Sequence, residues 1–105
     1  MAKDINIVYE KYYRTINMSF NELRDWSKNP LSKKASLSRE PIKRNLYLLS
    51  LKKSEWGDNE VQMANRTISF ISRMRKVSRG KPVNNNTMLS KRDISLLNWA
   101  YNPYK

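Results

Sequence analysis

The stretch GDNEVQMANRTISFISRMRKVS, residues 57–78, decides how this chain folds. Placed on a helical wheel, Val61, Ala64, Ile68, Ile71 and Met74 share one half, with Met63 and Phe70 at its edge. Gln62, Arg66, Ser69, Arg73 and Lys76 lie together on the opposite face, and no acid interrupts them. The spacing predicts an amphipathic helix over 59–78, capped by Asp58 after the break at Gly57. Arg79-Gly80-Lys81-Pro82 supplies the stop, a glycine followed by a proline.

Upstream, Pro41 suits the first turn of another helix, where its missing N–H is an orphan anyway. Ile42, Leu46 and Leu49 recur at helical spacing and Trp56 extends the stripe, so the pattern predicts a helical hairpin of about 41–56 and 59–78. As a helix-turn-helix it is a poor match. Lys53 stands where a small residue is usual before the turn glycine, and a second helix of about twenty residues is long for that motif. Residues 27–40 read as a basic, Ser/Lys-rich loop whose order depends on a ligand. Before it, Ser19 and Glu22 have capping-box spacing and start a helix carrying Phe20, Leu23 and Trp26, which stops before Asn29-Pro30.

The first segment, 5–16, reads as a helix capped by Asp4 with Ile5, Val8, Tyr9, Tyr12 and Ile16 down one side. Its β-branched and aromatic content leaves a strand open there. Tyr12 and Tyr13 are adjacent, so they cannot both face one core. Downstream, Asn84-Asn85-Asn86 marks a loop. Ser90 and Asp93 then repeat the capping spacing and open a last helix carrying Ile94, Leu96, Leu97, Trp99 and Tyr101, ended by Asn102-Pro103. The sum is an all-α fold: one domain over 1–105, four to five short helices around one core.

Composition narrows the function classes. The chain has 105 residues, 39% of them hydrophobic and 29% charged, enough apolar surface for one modest core. It has no Cys and no His, which excludes disulfides, thiolate metal sites, zinc fingers and His-based catalysis. Apolar runs are too short to span a membrane, and Met1-Ala2-Lys3-Asp4 leads into no signal-peptide core, so the expected compartment is cytoplasmic. Glycine-rich phosphate loops are absent. The densest carboxylate set, Glu55, Asp58 and Glu60, reads as helix capping and dipole compensation rather than metal ligation, so no enzymatic activity and no cofactor are expected.

Charge points the other way, toward a partner. The formal net charge is +12, and residues 33–81 hold thirteen Lys/Arg against four acids, a local +9. Such an excess attracts polyanions and costs self-repulsion. The expected partner is therefore nucleic acid, duplex DNA before RNA, bound mainly through phosphates with limited base readout. Candidate contacts are Gln62, Arg66, Ser69, Arg73 and Lys76 on the polar face, Lys33, Lys34 and Arg39 in the loop, and Lys43 and Arg44 after it.

Two other classes share this charge. One is an adaptor or inhibitor that engages an acidic protein, as a small cysteine-free phage or mobile-element product would. The other is an RNA- or ribosome-associated protein. Trp26, Trp56 and Trp99 fall at or near apolar stripes and are assigned to the core. The Met63–Phe70–Met74 edge is either core or the seam of a homodimer.

Overall fold

Asp4 opens the fold as the sequence predicts, its carboxylate accepting the Asn6 N–H at 2.9 Å and starting helix α1, Ile5–Thr15. The segment is helical and not a strand. Four further helices follow: α2 (Phe20–Ser27), α3 (Glu40–Leu49), α4 (Asp58–Met74) and α5 (Lys91–Asn98). Short 3-10 turns at Pro30–Lys33 and Lys53–Glu55 join some of them. This is a computed structural model, and it describes residues 4–33, 40–77, 82 and 89–104. Among those residues the one extended pairing is an isolated bridge between Pro82 and Ser90. No described helix is long and apolar enough to cross a membrane. The radius of gyration, 13.9 Å, is near the ~13 Å of a globular domain this size.

The core forms where α1 lies along α4, with α3 on α4's flank and α2 and α5 closing the far side. Val8 and Tyr12 of α1, Leu23 of α2, Ile42 and Leu48 of α3, Val61, Ala64, Ile68 and Ile71 of α4, and Leu96 and Leu97 of α5 are all buried. One polar node crosses it. The Asn45 carboxamide oxygen accepts the Tyr12 hydroxyl at 2.8 Å and the Thr67 hydroxyl at 2.9 Å, while its NH2 donates to the Pro41 carbonyl at 2.9 Å. Three helices thereby share one satisfied buried group. Tyr13, on the adjacent position, stays partly exposed.

Several boundaries differ from expectation, each for an identifiable physical reason. Helix α3 stops at Leu49 and does not reach Trp56. The Ser50 hydroxyl donates back to the Tyr47 carbonyl, and Glu55 folds onto the Lys52 N–H to begin the 3-10 turn. Trp56 thus reaches the core from a connector, edge-on to Tyr9 and Tyr12. At the start of α4 the cap is Gly57, not Asp58. Glu60 reaches back to the Gly57 N–H at 2.8 Å, and Asp58 is the first helical residue.

Helix α4 ends at Met74 rather than 78, because Arg92 donates from Nε and Nη2 to the Met74 and Arg75 carbonyls. The same guanidinium pairs with the buried Asp93 carboxylate at 3.1 Å. Helix α5 likewise stops short, at Asn98 rather than at Asn102-Pro103. Its end is a Schellman turn, with Tyr101 N–H on the Leu96 carbonyl and Ala100 N–H on Leu97. Ala100 takes the left-handed position usually given to glycine, at φ 65°.

Finally, the first half of the 27–40 segment is anchored rather than loose. Ser32 is buried in the Pro30–Lys33 turn, and its carbonyl accepts Asn98 Nδ2 at 3.0 Å. Asn98 Oδ1 in turn accepts the Trp26 indole N–H at 2.7 Å.

Candidate nucleic-acid interface

The outer face of α4 delivers the polar row that its periodicity predicts. Gln62, Arg66, Ser69 and Arg73 are exposed and stand three or four residues apart, so they line one edge of the helix. Arg66 and Arg73 are two turns apart, about 10 Å along the axis, or roughly three phosphate steps of one DNA strand. Helix α3 supplies the second wall. Because Ile42 and Asn45 face inward, Arg44 leans toward the α4 groove.

Together with Asn65, Phe70 and Trp99, these residues surround an open concavity of about 530 Å³. Trp99 stands at the end of α5, held by the Schellman turn that follows it. Its ring stacks on Phe70, centroids 4.4 Å apart and planes within 13° of parallel. The Arg44 guanidinium lies over the indole, 5.9 Å from its centroid.

The concavity continues into a second hollow that shares Arg44, Gln62 and Arg66 but ends on Glu40, Tyr47 and Glu60. The trough is therefore cationic at the Arg73 end and acidic at the Gly57 end. At the acidic end the Gly57 N–H, and then the Tyr47 hydroxyl at 3.0 Å, hold the Glu60 carboxyl below its usual range. The same contact pushes the Tyr47 hydroxyl up. Glu60 is thus committed to capping α4 and to Tyr47, and among the described residues no carboxylate pairs with Arg44, Arg66 or Arg73. Among the described residues the ion pairs are Arg24–Asp25 and Arg92–Asp93, and neither touches the trough.

Not every candidate converges. Arg44, Gln62, Arg66, Ser69 and Arg73 meet around one hollow. Lys43 is exposed on α3 and lines neither hollow, and Lys33 is exposed at the end of the Pro30–Lys33 turn. Lys76 projects from the turn after Met74, beyond the helical row that was to include it. Lys34 and Arg39 lie outside the described residues.

Three residues that line the hollow, Asn65, Phe70 and Trp99, are not among the candidates. Asn65 stands one turn from both Gln62 and Ser69, so the same wheel contains the signal for it. The apolar stripes assign Trp99 to the core and leave Phe70 on an edge that is either core or a homodimer seam. Both are half-buried and pack on it, yet both also face the hollow. Met63 and Met74 pack against the core of their own chain. No protein-family model matches this chain, and no curated protein or solved structure matches it.

Proposed function

We propose that this protein binds nucleic acid through the α3–α4 trough, with duplex DNA as the favoured form. One observation carries the reading: Arg44, Arg66 and Arg73 border a single hollow with no carboxylate paired to any of them among the described residues. Ordinary solvated faces mix the two signs. Unpaired guanidiniums gathered around a concavity keep their charge and their planar donor forks available for phosphate oxygens. Lys33, Lys43 and Lys76 add long-range attraction rather than contacts in the hollow.

Affinity then comes chiefly from counterion release and falls steeply with salt. A gel shift with random duplex, single-stranded DNA and structured RNA at two salt concentrations tests this. The expected result is a shift at low salt that weakens at high salt, strongest for DNA. A preference for structured RNA points to the ribosome- or RNA-associated alternative. No shift at low salt contradicts nucleic-acid binding and favours an acidic protein partner for the same cationic face.

A further inference from the structure

We infer that the hollow beside Trp99 receives one unpaired nucleobase, stacked on the indole beneath Arg44, so that nucleic acid with an extruded or unpaired nucleotide is preferred over perfectly paired duplex. The inference rests on the nucleic-acid reading above and adds what the trough selects.

The geometry of the rings comes first. Phe70 stacks nearly parallel to Trp99, and the Arg44 guanidinium lies over the same indole. A planar base sandwiched between indole and guanidinium needs about 7 Å, twice an ordinary ~3.5 Å contact. The gap is 5.9 Å from the guanidinium carbon to the ring centroid. A displacement of about 1 Å by Arg44, a flexible side chain with no ion pair among the described residues, opens it. Phe70 backs the indole and the Schellman turn fixes its backbone, so the platform stays while the arginine moves. Ala100 held at φ 65° directly after Trp99 is the kind of backbone strain that persists where a side chain must be aimed.

The lining chemistry fits a base rather than phosphate alone. Gln62, Asn65 and Ser69 border the same hollow, and none spends its side chain on a hydrogen bond within the described residues. Amides offer a donor and an acceptor side by side, the arrangement that reads a base edge. Arg66 and Arg73 flank them and suit the phosphates on either side of the inserted nucleotide. The hollow, about 530 Å³ and open to solvent, is of the size that small planar ligands occupy.

The test compares three DNA probes at low salt: a fully paired duplex, the same duplex with one bulged nucleotide, and a single strand. Binding is followed by gel shift and by tryptophan fluorescence. Trp56 is buried and Trp26 is tied to Asn98, so quenching reports chiefly on Trp99. The expected result is at least several-fold tighter binding of the bulged duplex than the paired one, with quenching that the paired duplex does not produce. Trp99→Ala should remove that preference, a loss of about 5- to 150-fold on the bulged and single-stranded probes. Affinity for paired duplex should fall by clearly less than affinity for the bulged probe.

Trp99→Phe should keep most of the preference, and Arg44→Met should weaken it in a protein whose core is untouched. Equal binding of paired and bulged duplex by the wild-type protein, without quenching, overturns the base pocket and leaves the phosphate reading standing. Absence of binding to all three probes overturns both.

Discussion

Asn45 is the residue on which α1, α3 and α4 converge, and its replacement should separate packing from hydrogen bonding. Removing its carboxamide strands the Tyr12 and Thr67 hydroxyls in a buried space, each at a cost of about 1–3 kcal/mol, while the Pro41 carbonyl keeps the helical N–H of residue 45. Asn45→Ala should therefore lose about 3–5 kcal/mol in urea unfolding, which is exceptional for one residue. Tyr12→Phe leaves Asn45 Oδ1 its bond from Thr67, and should lose only about 1 kcal/mol. Similar losses for the two variants would contradict the node.

The tyrosines also set an alkaline limit. Burial pushes the Tyr13 hydroxyl up to about 12, with the Tyr9 phenol adding to it, and burial raises Tyr12 further still. Both groups are neutral in the folded state well above the ordinary phenol value of 10.0, where the unfolded chain ionises. Their contribution is thus complete below pH 10 and is lost as pH rises through 10 toward 12 and beyond. A pH series of urea midpoints should fall above pH 10, and Tyr12→Phe should flatten part of that fall. At this scale the sequence was half informative. Adjacency of Tyr12 and Tyr13 predicted that one faces inward, but a polar asparagine on an apolar stripe gave no sign that it was the buried partner.

The starts of α2 and α5 were legible, and the ends of α3, α4 and α5 were not. Ser19–Glu22 and Ser90–Asp93 cap their own helices within four residues, so local spacing suffices to find them. No local spacing announced the ends of α4 and α5. Arg92, eighteen residues downstream, takes the Met74 carbonyl and stops α4 a turn early, and Ala100 terminates α5 in a position that no glycine marks.

The same arginine neutralises the buried end of Asp93, which also accepts the Ser90 N–H and the Tyr104 hydroxyl. Arg92→Met keeps the stem but removes the charge-assisted bonds, and should cost about 2–3 kcal/mol of unfolding free energy. Hydrogen exchange should quicken in the last turn of α4 and the first turn of α5 together. Faster exchange confined to α5 would show that Arg92 does not join the two. These ends matter to the interface, since the early stop of α4 removes Lys76 from the arginine row and the early stop of α5 turns Trp99 toward it.

Across the whole molecule, the all-α architecture and the amphipathic sense of α4 follow from periodicity, because a 3.6-residue repeat of apolar side chains has one helical solution. Charge asymmetry pointed to the middle of the chain. It could not say which cations converge, because convergence depends on how α3 crosses α4 and where α5 ends. Arg44 and Trp99 stand 55 residues apart in sequence yet border one hollow, and no local pattern links them.

The central claim is that Arg66 and Arg73 meet phosphates in that trough. The direct measurement is the slope of log affinity against log salt for duplex DNA, in the wild type and in the Arg66→Gln/Arg73→Gln double variant. Two lost phosphate contacts should reduce the magnitude of the slope by about 1.8 and weaken binding evenly across sequences. An unchanged affinity and slope in a variant that remains folded would contradict it.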